Sequence, residues 1–136
     1  MEEIRTMILE IKKNKTIADV QDDFNLFYPF LKLDFYKKAN GRLGSFIREK
    51  LLKTIFLNVA GDGKEGELEV VDSMTVGQLE KSFHDRFGMI VQVSRKSGTI
   101  WLETTMTDSW TLKHQNEHGR ELSSPAKRVV PGSSDD

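Results

Sequence analysis

From Thr6 to Lys12 the chain alternates. Met7, Leu9 and Ile11 face one way and Ile8, Glu10 and Lys12 the other, the period-two pattern of a strand with one buried face. The period then changes. Ile17, Val20, Phe24, Phe27 and Tyr28 fall on one stripe of an amphipathic helix, preceded by Thr16 and Asp19 in an acidic version of the capping box. Pro29 ends that helix, because proline lacks the N–H and disfavours helix in the residue before it. Alternation resumes in FLKLDFYKK, with Leu31, Leu33 and Phe35 inward and Lys32, Asp34 and Tyr36 outward. The pattern predicts a β-α-β unit.

A second unit follows the same plan. Leu68 and Val70 alternate with Glu67, Glu69 and Val71. Thr75 and Gln78 form another capping box, and Val76, Leu79, Phe83 and Phe87 form another stripe. Gly88 stands where a left-handed cap is wanted, and Val91 and Val93 open the next strand. TIADVQDDF aligns with TVGQLEKSF at a constant offset, and after one gap Lys37-Lys38 falls on Arg95-Lys96. Tandem units at about 6–37 and 67–95 predict an α+β fold, a ferredoxin-like sandwich with two helices over one face of an antiparallel sheet. A ubiquitin-like β-grasp is the alternative. Between the units, Ser45 is expected to cap a short helix with Phe46, Ile47, Leu51 and Ile55 partly buried, and GDGKEG reads as a solvated turn.

After the second unit comes a hairpin turning at Ser97-Gly98 or over Lys96 to Thr99. Either loop places Val93, Arg95, Ile100 and Leu102 on the inner face and Trp101 outward with Gln92, Ser94 and Glu103. An odd loop would reverse this, but two aliphatics outweigh one tryptophan. Asp108 or Ser109 then caps a short helix through Trp110 and Leu112 that Gly119 ends. The domain is expected to span 1–122. Residues 123–136, SSPAKRVVPGSSDD, read as a disordered tail.

Composition narrows the functional classes. With 136 residues, 38% apolar and 30% charged, the chain reads as one globular domain. Its net charge of −1 leaves only a local patch to grip nucleic acid. Without cysteine there are no disulfides, thiolate metal sites or cysteine nucleophiles. The opening MEEIRTMILEIKKNK lacks the order of a signal peptide, and no apolar run approaches the about 20 residues of a membrane span. A cytoplasmic protein is expected, with no membrane partner.

Candidate chemistry is sparse. His114, Glu117 and His118 spell the inverted zinc-protease signature, but a catalytic zinc needs a third ligand and a cleft, and this segment is polar throughout. Glu80 and His84, beside Asp85, have acid–base spacing without a nucleophile, and an exposed helical pair is the commoner arrangement. Gly63-Lys64 fails as a phosphate loop, since Asn58 and Glu65 occupy positions that need Gly and Ser or Thr. No metal, cofactor or catalytic set is assigned. The candidate binding residues are Arg95, Lys96, Trp101, Glu103, Asp108, Trp110 and Tyr36. A basic rim of Arg95, Lys96, Lys37 and Lys38 beside Trp101 and Tyr36 resembles an RNA-binding sheet, but Glu10, Asp34, Glu67, Glu69 and Glu103 are expected on the same face and would repel phosphates.

VQVSRKSGTIWLETTMTDSWTLKHQN, with TVGQLEKSFHDRFG before it, resembles an uncharacterised family of small bacterial α+β proteins of the kind seen in Bacteroides-type genomes. The segments that carry the likeness are RKSG, WLETT and TDSWTL, and it spans roughly Val70 to Gly119. It implies a bacterial cytoplasmic origin and no mechanism. The sequence therefore predicts a non-enzymatic module for protein interaction or self-association. The alternative is small-ligand or nucleic-acid binding through the basic and aromatic patch, and a hydrolase is the least favoured reading.

Overall fold

Two copies of one hydrogen-bonding plan organise the chain. A computed structural model describes residues 3–40 and 46–124. In order, its elements are β1 (Thr6–Ile11), α1 (Ile17–Phe27), β2 (Leu31–Asn40), β3 (Phe46–Lys50) and α2 (Leu57–Ala60). Then come β4 (Gly66–Val71), α3 (Val76–Phe87), β5 (Ile90–Ser97), β6 (Ile100–Glu103) and α4 (Leu112–Ser123). Over the described residues the fold is α+β, with four α-helices and two antiparallel sheets: β1 pairs with β4, and the other strands run in the order β3-β2-β5-β6.

α1 and α3 form where the stripes and caps placed them. Thr16 and Thr75 each accept from the backbone N–H three residues on, and Asp19 and Gln78 return the bond. Gly88 closes α3 at φ 64°, a conformation open to glycine at little cost. One core gathers Leu9 and Ile11 of β1, Ile17, Val20 and Phe24 of α1, Leu33 and Phe35 of β2, and their counterparts in the second half. Across it the Phe35 and Phe83 rings meet edge to face at 5.7 Å.

The repeated unit is longer than β-α-β. In the first copy Ile17 N–H donates to the Ile55 carbonyl (2.9 Å) and Leu57 N–H to the Lys15 carbonyl (2.9 Å). In the second, Val76 donates to Trp110 (3.1 Å) and Leu112 to Met74 (2.8 Å). Leu51 to Phe35 (2.8 Å) is likewise matched by Thr104 to Val93 (3.2 Å). Each copy is thus β-α-β-β-α, its second helix tied to the cap of its first. Leu9 lies opposite Leu68 and Asp34 opposite Gln92, each across from its own repeat equivalent. A pseudo-twofold axis passes between both pairs.

This arrangement departs from the ferredoxin-like expectation. That sandwich hydrogen-bonds its four repeat strands in one sheet, whereas here β2 pairs directly with β5 and β1 with β4 in separate sheets. The described ladders are all antiparallel, so they lack the parallel central pair of a β-grasp. Alternation reports which face of a strand is buried and says nothing about its partner.

Four local expectations change. Phe46 and Ile47 belong to strand β3 instead of a helix, while Ser45 lies outside the described residues. The hairpin turns at Gly98-Thr99, with Gly98 at φ 66°, so Arg95 faces Leu102 and Ser97 faces Ile100. That is two positions from the expected register and keeps the same faces. Thr111, not Asp108 or Ser109, caps α4, with its side chain accepting from His114 N–H. Gly119 sits inside α4 and does not end it: a Cβ there would meet the Phe30 Cβ at 2.9 Å and the Arg95 Cγ at 3.0 Å. α4 runs through Ser123, whose hydroxyl accepts from Gly98 N–H at 3.1 Å. Residues 125–136 of the expected tail lie outside the described residues.

Candidate binding face

Both sheets give their inner faces to one core, so their outer faces look away from it. On the four-stranded sheet the cross-strand pairs Lys32–Ser94, Asp34–Gln92, Tyr36–Lys50, Lys38–Arg48, Lys96–Trp101 and Ser94–Glu103 share the outer face. Among the described residues, five cations (Lys32, Lys38, Arg48, Lys50 and Lys96) therefore stand there against two carboxylates, Asp34 and Glu103. Glu10, Glu67 and Glu69, expected on this face, lie on the β1–β4 sheet instead. The structure removes three of the five acids that argued against an anionic partner.

The cations gather round the two half-buried rings. Lys32 Nζ lies 5.2 Å and Lys96 Nζ 6.0 Å from the Trp101 ring centre. The Arg48 guanidinium lies 5.0 Å and Lys50 Nζ 5.9 Å from the Tyr36 ring centre. Lys32 is on β2 and Trp101 on β6, with β5 between them, so the indole reaches across Ser94. The middle of the face is consequently covered: Asp34, Gln92 and Ser94 are only 8%, 5% and 5% exposed. Asp34 is held by Lys32 at 3.6 Å and by Lys50 at 3.5 Å. Burial raises the Tyr36 hydroxyl above its ordinary pKa, opposed by Lys50 and reinforced by Asp34 and Glu103. It remains a neutral donor.

The paired helices close the sheet's open backbone edges. Gln21 Nε2 of α1 donates to the Leu33 carbonyl at 2.7 Å, and Asn25 Nδ2 to the Leu31 carbonyl at 2.9 Å. The repeat equivalent of Gln21 is Glu80 of α3, whose carboxylate accepts from Val93 N–H at 2.9 Å and from Gln92 Nε2 at 3.4 Å. Burial raises the Glu80 pKa, and the Val93 hydrogen bond offsets part of that rise. Beside Trp101, a cleft of about 190 Å³ is lined by Gln21, Asp22, Asn25 and Lys32.

The sequence-predicted residues separate into two groups. Tyr36, Lys96, Trp101 and Glu103 share the outer face. Arg95 and Trp110 lie elsewhere, against α4. Arg95 donates to Gln115 Oε1 at 3.0 Å, and burial lowers its pKa. Trp110 stacks on His114 at 4.3 Å and meets His118 edge-on at 5.4 Å. Asp108 is in the preceding loop, its carbonyl accepting from Gly77 N–H at 2.8 Å. Of the expected rim, Lys38 is outward, while Lys37 has the opposite parity and pairs with Glu49 at 3.6 Å. The α4 helix covers the Arg95 side and leaves Trp101 open to the Lys32 side.

Lys32, Arg48 and Lys50 were not among the predicted site residues. The alternation of FLKLDFYKK already set Lys32 outward, whereas Arg48 and Lys50 were hidden by the reading of their segment as helix. Elsewhere, His84 is exposed beside Asp85, which also binds Lys81, and Glu80 is turned to the Val93 amide. Among the described residues no group of three His, Asp or Glu could hold a metal ion, and no helix is long and apolar enough to cross a membrane.

Comparison with family models, with curated proteins and with solved structures finds no match.

Proposed function

We propose that this protein is a non-enzymatic, cytoplasmic binding module that takes an anionic partner on the outer face of its four-stranded sheet. The observation that carries the reading is the five-to-two excess of cations over carboxylates on a face that also holds Tyr36 and Trp101. In a chain of net charge −1 that excess is local, and a local positive field is what draws and orients an anion. Interaction with a protein partner or a second copy remains within this reading when the partner presents an acidic surface.

The test is elution from a polyanion column. The double variant Lys32→Glu, Lys96→Glu should elute at clearly lower salt than the parent. Lys12→Glu, Lys13→Glu carries the same change of net charge away from the face, and it should elute close to the parent. Equal losses from both variants would reduce the interaction to overall charge and end the proposal.

A further inference from the structure

We infer that the anionic partner is single-stranded nucleic acid, with one nucleobase seated in the cleft beside Trp101. This rests on the anion-binding reading above and goes further by naming the chemistry of the ligand. Cations alone suit any polyanion, from an acidic peptide to a sulfated sugar. Two features of this face narrow the choice.

The first is that both aromatic rings lie within clusters of cations. Trp101 has Lys32 and Lys96 beside it, and Tyr36 has Arg48 and Lys50. Ring and cation side by side is the pairing that a base and its phosphate require, and it is how sheets grip unpaired strands. The two clusters occupy opposite corners. Tyr36 lies opposite Ile90 at one end of β5, and Trp101 opposite Lys96 at the other. With a strand spacing of about 4.8 Å and a rise of about 3.3 Å per residue, the corners lie roughly 20 Å apart. An extended single strand of several nucleotides would reach from one to the other. A duplex keeps its base faces stacked on one another and has none to offer the rings.

The second is the lining of the cleft. One wall is the Trp101 indole, and the rest is Gln21, Asp22, Asn25 and Lys32. The amide nitrogens of Gln21 and Asn25 already donate to β2 carbonyls. These amides still offer two oxygens and one Gln21 N–H, and Asp22 adds a carboxylate. An aromatic wall with an acceptor-rich rim fits a base that carries an exocyclic amino group. Cytosine, adenine and guanine have one, and thymine and uracil do not. Lys32 and Lys96 then stand where the attached phosphates would lie.

The experiment is fluorescence anisotropy of labelled twelve-mers of oligodeoxycytidine and oligodeoxythymidine and of a duplex of equal length, with unlabelled heparin as competitor. The expected result is binding of the cytidine strand that weakens steeply as salt is raised, in preference to thymidine and to duplex. Trp101→Ala should weaken it about tenfold or more. Lys96→Ala, near the end of β5, should weaken it and lower the salt slope by about one, and it serves if Trp101→Ala disturbs the fold. Equal affinity for duplex and heparin, with Trp101→Ala unchanged, would overturn the nucleic-acid inference and leave the anion-binding reading standing. A preference for thymidine would overturn the assignment of the cleft. Failure of every polyanion to bind would remove both.

Discussion

Asp72, just after β4, ties the second half of the chain to Arg5 and Tyr28 of the first. It is 2% exposed, yet it accepts from the Tyr28 hydroxyl at 2.8 Å, from Arg5 N–H at 3.1 Å and from the Arg5 Nε at 3.3 Å. Burial alone would raise its pKa, but the bonds from Tyr28 and Arg5 outweigh burial and hold it below the ordinary value. A depressed carboxylate gives stability that is present above its unfolded pKa of about 3.9 and is lost as pH falls through the folded value. Asp72→Ala removes that contribution and leaves the buried Tyr28 hydroxyl unpartnered. It should cost about 1–3 kcal/mol at neutral pH, read from urea midpoints, and flatten the acid limb of the stability curve. A midpoint equal to the parent's at pH 7 would contradict this role. Glu80 has the opposite sign. Its folded pKa is raised by burial, so its contribution is complete below about 4.3 and lost as pH rises through the folded value. Glu80→Gln keeps an acceptor for Val93 N–H and should be at least as stable as the parent at pH 7, with a shallower dependence of melting temperature on pH between 4 and 7.

Among the elements, the helices carry the clearest local instructions. The Thr75 and Gln78 side chains satisfy each other's end of α3 at 3.1 and 2.9 Å, and Thr75→Ala should destabilise by about 1 kcal/mol. Gly119→Ala drives a methyl group against Phe30 and Arg95, where α4 crosses the ends of β2 and β5. Overpacking of this kind costs about 1–3 kcal/mol, and differential scanning calorimetry of the two variants checks both figures. These elements differ in how far the sequence announces them. The stripes and capping boxes of α1 and α3 are periodic and local, so both helices are legible from residues alone. Trp101 is outward as parity predicted, because a hairpin slip of two positions leaves every face unchanged. β3 was missed because Phe46–Lys50 has no clean alternation and takes its identity from pairing with β2. Glu10, Glu67 and Glu69 were put on the wrong face for a related reason: outward is a property of a strand, whereas the choice between two sheets depends on distant partners.

For the whole molecule, the repeat is what gives the face its form. The pseudo-twofold axis brings β2 and β5 together at Asp34 and Gln92, and each repeat adds its own return strand outside, β3 on one flank and β6 on the other. Lys38 and Lys96 are repeat equivalents, as are Arg48 and Trp101, so two basic and aromatic corners arise from one plan that has since diverged. Glu10, Glu67 and Glu69 are drawn off to the β1–β4 sheet, and Trp110 packs on His114 and His118 of α4. The two tryptophans therefore report from different places, and their indole N–H signals in a nitrogen-resolved NMR spectrum read the central claim directly. On titration with the oligodeoxycytidine strand, the Trp101 indole and the backbone amides of Lys32, Tyr36 and Lys96 should shift together while the Trp110 indole stays fixed. Movement of Trp110 with Trp101 unchanged, or shifts centred on Glu67 and Glu69, would contradict the account.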